Sequence, residues 1–179
     1  MKIEFRDSSR GVIAVPDEAT MAVIAARANA RRTSARDKNR TQAYFIEGTQ
    51  WDSLDTEIQS MLAEHVVAHY FGQTDWEPTL HKPDRHEGDL VIDTVPIEVK
   101  STNRARGSLP IKKDEKRNRP YVLVIVEGRQ ARIAGWIMAQ NGQQERFWRS
   151  DVRYPAYFVP QGELLPISVL KTILEDDGA

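Results

Sequence analysis

The chain contains no cysteine, which excludes a disulfide framework and any thiolate chemistry. It has no apolar run approaching the roughly 20 residues that a membrane-spanning helix needs. Internal repeats and low-complexity tracts are also absent. Nor is there an excess of charge of either sign, because 25 Lys and Arg stand against 26 Asp and Glu for a net charge of −1. Attraction to phosphate must therefore come from local clusters of cations, if it exists. What remains is an ordinary globular composition, 40% hydrophobic and 28% charged over 179 residues, long enough for one domain with a real core. The opening Met1-Lys2-Ile3-Glu4-Phe5-Arg6 alternates like a strand and does not read as a signal peptide, so a cytoplasmic location is the default expectation.

Chemistry concentrates in residues 88–101, Gly-Asp-Leu-Val-Ile-Asp-Thr-Val-Pro-Ile-Glu-Val-Lys-Ser. The β-branched runs at 90–92 and 97–99 predict an antiparallel hairpin of two largely buried strands around Asp93-Thr94-Val95-Pro96. With the turn centred on Thr94 and Val95, facing residue numbers sum to about 189, placing Asp89 opposite Lys100 and Glu98 diagonally from it. Alternation puts Glu98 and Lys100 on one face and Ile97 and Val99 on the other. Two carboxylates this close repel, so one is protonated or a cation lies between them. A hard divalent metal with oxygen ligands is the natural cation. Lys100 could then orient a water, help deprotonate it, or offset charge building up on a phosphate. That chemistry is phosphodiester hydrolysis. The plainer alternative is a surface hairpin with an ordinary ion pair, against which Val91, Ile92, Ile97 and Val99 argue for burial.

Asp89, eight intervening residues and Glu98-Val99-Lys100 on a hairpin resemble the D-x(n)-(D/E)-x-K signature of the PD-(D/E)xK, restriction-endonuclease-like nucleases. The resemblance implies that Asp89 and Glu98 bind magnesium (Mg2+, with manganese, Mn2+, as a substitute), that Val99 offers its backbone carbonyl to the metal, and that Lys100 is catalytic. It further implies a glutamate on the preceding helix joining the metal shell, and Glu64 in Ala-Glu-His-Val-Val-Ala-His matches, with Glu57 as the competing residue. Asp84 follows Pro83 like the family's Pro-Asp pair, but lies in a loop, whereas Asp89 opens the strand. The activity implied is that of a metal-dependent deoxyribonuclease with DNA as partner. No membrane partner is expected, and a homodimer is left open. The alternative is a non-catalytic nucleic-acid-binding or protein-interaction module on the same fold.

The remainder is organised around that hairpin as a single domain, 1–179. Residues 1–49 predict an edge hairpin and an alanine-rich helix that turns basic through Arg27, Arg31, Arg32, Arg36, Lys38 and Arg40, either a solvated helix end or an arm along phosphates. Residues 50–140 form the core. Residues 53–71 carry the clearest helical periodicity in the chain, with Gly72 to end it. His65 and His69, four apart, could clamp a transition metal, but are better read as satisfied or exposed side chains, since an H-E-x-x-H motif is absent. His81 and His86 sit in the loop before the hairpin and could touch substrate, although a solvated loop explains them as well.

Residues 74–80 predict a first core strand with Trp76 inward, and Tyr44-Phe45-Ile46 is a brief apolar run without a clear place. After Lys100, a loop bearing Arg104 and Arg106 leads to a short helix expected from Ser108, carrying Lys112, Lys113, Lys116, Arg117 and Arg119. Arg104, Arg106, Lys112, Lys113 and Lys116 are the candidate phosphate contacts. Tyr121 to Val126 predicts a strand covered on both faces, and 131–139 its neighbour. In the extension 141–179, the aromatics Phe147, Trp148, Tyr154, Tyr157 and Phe158 either close a satellite core or, with Arg146, Arg149 and Arg153, stack on unpaired bases. A short helix follows at 166–174. The fold class expected is α/β, a restriction-endonuclease-like core with a mixed central sheet flanked by helices and with N- and C-terminal extensions.

Overall fold

Alternating residues at the N-terminus form β1 (Ile3–Ser8) and β2 (Gly11–Pro16), an antiparallel hairpin in which Ser8 faces Gly11. The computed structural model describes residues 2–37, 54–76 and 88–177. Asp17 caps α1 (Glu18–Asp37) by accepting the Thr20 amide at 2.7 Å, which satisfies one of the donors a helix start leaves open. In α2 (Leu54–Tyr70), residues 61–68 are all buried, as expected of a helix enclosed on every side. It ends where Gly72, at φ 82°, lets the Gly72 and Gln73 amides return to the His69 and Ala68 carbonyls, a Schellman arrangement.

The strands β3 (Leu90–Ile92), β4 (Val95–Thr102), β6 (Pro120–Glu127) and β7 (Gln130–Met138) join the N-terminal hairpin in a six-stranded sheet of order β1-β2-β7-β6-β4-β3, while β5 (Leu109–Ile111) lies outside it. Its pairings are antiparallel except β4 with β6, so the sheet is mixed. The short α3 (Ala139–Gly142) leads to β8 (Trp148–Arg149) and β9 (Ala156–Val159), which complete a separate sheet of order β5-β9-β8, before α4 (Ile167–Asp177). The architecture is thus mixed α/β, with helices flanking the large sheet.

β6 separates two cores. Val122, Val124 and Val126 pack with residues of α1, α2 and α4, whereas Tyr121, Leu123 and Ile125 pack with β5, Phe147 and Val159. This is the strand covered on both faces that its unbroken apolar run implied. Gly135 lies opposite a register shift between Leu123 and Val124, and a Cβ there would stand 2.6 Å from the Leu165 carbonyl oxygen, so the close approach of Leu165 to the sheet depends on that glycine.

Several expectations are corrected. The segment after Ser108 is not a helix but β5 followed by turns, because Leu109 and Ile111 are consumed by the second core and Pro110 lies between them. Thr74 and Asp75 form a turn rather than the start of a strand, while Trp76 does pack inward against the main core; residues 77–80, the Tyr44-Phe45-Ile46 run, Asp84, His81, His86, Lys38 and Arg40 lie outside the described residues. The aromatic C-terminal segment divides, with Phe147 and Tyr157 joining the second core. Among the described residues no helix is long and apolar enough to cross a membrane.

Candidate functional site

The hairpin turns tighter than its sequence suggested. Asp93 and Thr94 both take positive φ, 46° and 74°, making a two-residue turn whose twist suits the flanking strands. Leu90 therefore faces Ile97 and Ile92 faces Val95, so facing numbers sum to 187 rather than 189. The ladder ends at Leu90–Ile97, and Asp89, one residue outside it, sits beside Ile97 rather than opposite Lys100. A shift of two residues preserves sidedness, since side chains alternate with period two. Asp89 itself follows Gly88, which has φ 75°, and continues the strand's pairing in an unusual way. Its amide donates to the Ile97 carbonyl at 2.9 Å, and its Oδ2 accepts the Val99 amide at 2.9 Å. Its carboxyl is thereby pinned to β4.

On β4, Ile97 and Val99 face α2 within the main core. Glu98 and Lys100 pair in parallel register with Tyr121 and Leu123, residues of the second core. The Lys100 ammonium donates to Glu98 Oε1, and Arg119 Nη1 donates to Glu98 Oε2 at 3.2 Å. Arg119 is only 2% exposed. The Lys100 Nζ also stands 5.8 Å from the centre of the Tyr121 ring.

The charges are unevenly shared. Burial raises the Glu98 pKa, but Lys100 and Arg119 outweigh it and hold the carboxyl below the usual range. Burial pulls the Lys100 ammonium down, yet Asp89 and Glu98 together push it above its ordinary value. Asp89 is left with less compensation. Burial raises its pKa to about 7, and Glu98 and Glu64 add to the rise against the opposing pull of Lys100. Tyr121 is raised by burial, by Glu98 and by Glu115, so its hydroxyl keeps its proton at neutral pH.

Arg31 of α1 reaches the glutamates of α2. Its Nη1 and Nη2 donate to the two carboxylate oxygens of Glu64 at 3.2 and 2.9 Å, and Nη1 also donates to Glu57 at 3.3 Å. The competing glutamates thus share one guanidinium, two turns apart on one helix face. Glu64 is the one whose charge acts on Asp89. Arg31, expected in a solvated helix end or a phosphate-binding arm, is instead 5% exposed and internally paired.

The structure therefore gathers Asp89, Glu98, Lys100 and, more distantly, Glu64, and adds Arg119, Tyr121 and Arg31, which the sequence did not single out. The cue for Arg119 was its place: it directly precedes the buried strand that runs alongside Glu98. Asp89, Glu98 and the Val99 carbonyl are the oxygen donors that could hold a hard cation. Among the described residues no three His, Asp or Glu side chains converge on one point. Of the candidate phosphate contacts, Arg104 and Arg106 are exposed beyond the far end of β4, whereas Lys112, Lys113 and Lys116 lie on the turns leading back to Arg119.

His65 and His69 stack on α2 with ring centres 4.2 Å apart. His69 is half-buried, and His65 is not the satisfied or exposed residue expected: it is 2% exposed and neither of its ring nitrogens has a hydrogen-bond partner among the described residues. Burial, His69 and Arg27 hold its pKa down to about 4, against 6.5 ordinarily. Between those values the unfolded chain binds a proton that the folded chain refuses, so stability falls as pH drops through this window. The expected loss is on the order of 3 kcal/mol. In urea unfolding from neutral pH down to about pH 4, His65→Leu should remove that part of the acid sensitivity; an unchanged pH dependence would show that the imidazole is not the cause.

Comparison of the chain with family models, with curated proteins and with solved structures returns no match.

Proposed function

We propose that this chain is a magnesium-dependent deoxyribonuclease with a restriction-endonuclease-like core, hydrolysing DNA phosphodiester bonds at the Asp89–Glu98–Lys100 site. The observation that carries the proposal is electrostatic and geometric together. Three ionisable groups from one hairpin lie half-buried side by side, and one of them, Asp89, has its pKa raised to about 7 by burial, with Glu98 and Glu64 adding to a rise that the positive charge of Lys100 offsets only in part. An additional cation beside Asp89 relieves that deficit. The donors are all oxygens, and magnesium is commonly held by one or two carboxylates with water and substrate phosphate completing the shell, so a cluster of three carboxylates is not required. The fit is therefore to a hard dication held by Asp89, Glu98 and the Val99 carbonyl, with Glu64 joining only as Arg31 releases it.

Such an ion supplies an activated water and neutralises charge on the scissile phosphate. The chain's own groups do the rest. The Val99 amide aims the Asp89 carboxyl, and Arg119 holds Glu98 by the carboxylate oxygen that Lys100 leaves free. The Lys100 ammonium, shared with Glu98 in the resting arrangement, is placed to stabilise negative charge on phosphate oxygens as it develops.

A second reading, the non-catalytic nucleic-acid-binding or interaction module, is favoured by one observation: both oxygens of Glu98 and both oxygens of Glu64 are already occupied by internal cations. Incubation with magnesium or manganese across linear, circular, branched and single-stranded DNA decides between them. Cleavage is expected of the wild type, and a complete lack of cleavage alongside retained DNA binding would select the module. Calorimetry with magnesium should show binding that Asp89→Ala and Glu98→Ala each weaken by at least about tenfold, since even indirect supports of a metal cost that much. Equal affinity in both variants would remove the metal site.

A further inference from the structure

The aromatic segment of the small sheet holds a residue that neither core explains. Trp148 on β8 faces Tyr157 on β9 directly, with ring centres 4.9 Å apart and planes tilted by 59°. Tyr157 packs against the second core, but Trp148 belongs to neither core cluster and lies on the edge strand of its sheet. Core closure thus accounts for one ring and leaves the other. A large aromatic outside the core, beside a cation, is the arrangement on which unpaired bases stack.

The cation is not one of the arginines the segment itself carries. Arg149 is held by two 2.7 Å bonds to Asp151, Arg146 by Glu163 at 2.8 Å while it covers the Phe147 ring, and Arg153 lies 5.3 Å from the centre of the Tyr154 ring. The cation over Trp148 is the exposed Lys113, whose Nζ stands 5.9 Å from the ring centre. Lys113 also connects this surface to the Asp89–Glu98–Lys100 site. It lies on the turn that carries Glu115, whose charge acts on Lys100 and Tyr121, and the same segment ends in Arg119 on Glu98. At most about 21 Å of chain separates Lys113 from Arg119.

We propose that Trp148, Tyr157 and Lys113 form a stacking platform for an unpaired nucleotide adjoining the Asp89–Glu98–Lys100 site, Lys113 taking the phosphate and Trp148 the base. This rests on the nucleic-acid reading of that site and names its substrate class: strands with unpaired bases, either single strands or the frayed or branched ends of duplexes. A fully paired duplex keeps its base faces stacked internally and offers Trp148 nothing.

The test is binding of a short single-stranded oligodeoxynucleotide carrying 2-aminopurine, and of the corresponding duplex, to the full chain with magnesium withheld so that no cleavage intervenes. The wild type should bind the single strand in preference to the duplex and quench the probe. Trp148→Ala should lose about tenfold or more in single-strand affinity, the effect of one stacked base, with little change for the duplex. Trp148→Phe, which keeps a ring and guards against a folding defect, should retain most of it, and Lys113→Glu should weaken it. Wild-type affinity in Trp148→Ala would overturn the platform, as would a loss equal for both substrates that phenylalanine fails to rescue, or a wild type that binds no single strand. The two proposals fail separately. Cleavage with magnesium that is indifferent to Trp148 leaves the nuclease without the platform, whereas Trp148-dependent strand binding without any cleavage leaves the platform without the nuclease.

Discussion

Lys100→Ala is expected to lower kcat for magnesium-dependent DNA cleavage by about 10²- to 10³-fold, the usual cost of removing one preorganised group that stabilises transition-state charge. DNA affinity, measured with magnesium withheld, should change by far less, because the interaction strengthens only as charge develops on the phosphate. The structure narrows the role. Burial would ease the loss of a proton from Lys100, but Asp89 and Glu98 overcome it and hold the ammonium above its ordinary pKa. The group therefore stays cationic at neutral pH, and in the proposed reaction it would act through charge rather than as the base that deprotonates water. The variant should stay folded, since Glu98 keeps its bond from Arg119. A kcat equal to wild type would take Lys100 out of the mechanism, and a parallel fall in affinity would make it a binding residue instead.

Arg31→Ala should destabilise the fold by about 3–5 kcal/mol, because it strands two carboxylates that have no access to bulk water sufficient to replace the guanidinium. Glu64 and Glu57 have side chains only 9% and 17% exposed, and Arg31 bonds to both. For a chain of this size the loss corresponds to a fall in melting temperature of roughly 6–20 °C. Removing the carboxylate charge as well, in Arg31→Met with Glu57→Gln and Glu64→Gln, should recover much of it, since the cost lies in the uncompensated charges rather than in the absence of the pair. Thermal unfolding at neutral pH measures both. A single variant that melts with the wild type would show that Glu64 and Glu57 find other partners or protonate without cost.

The consequences of these two substitutions differ because the residues were differently legible. Asp89, Glu98 and Lys100 belong to one hairpin, and an antiparallel hairpin is a local object: its strands, its turn and its period-two alternation can be worked out from consecutive residues. Even the misplaced turn did no harm to the grouping. Moving the centre from Thr94-Val95 to Asp93-Thr94 changed the facing sum by two, which exchanges the partner of Asp89 but leaves all three side chains where they can meet. The helical periodicity of 53–71, the apolar run of β6 and the alternating N-terminal hairpin were readable for the same reason.

By itself, then, the sequence determined the elements whose pattern is local and apolar, and the pairing of charges within a single hairpin. Only the tertiary structure decided the fate of charges that meet partners from elsewhere in the chain. Arg31 looks like any member of a basic helix end and Arg119 like any member of a lysine- and arginine-rich stretch, yet each is buried on a glutamate, 33 and 21 residues away respectively. A polar side chain can be buried only where a distant partner offsets its desolvation, and that partner is invisible to periodicity. The same holds for 109–111, which the sequence placed in a basic helix and the fold recruited as a strand, because β9 and the second core supplied what Leu109 and Ile111 could bury against. Long-range pairing settled those positions, since local propensity is worth only tenths of a kcal/mol to about 1 kcal/mol per residue and packing is worth more.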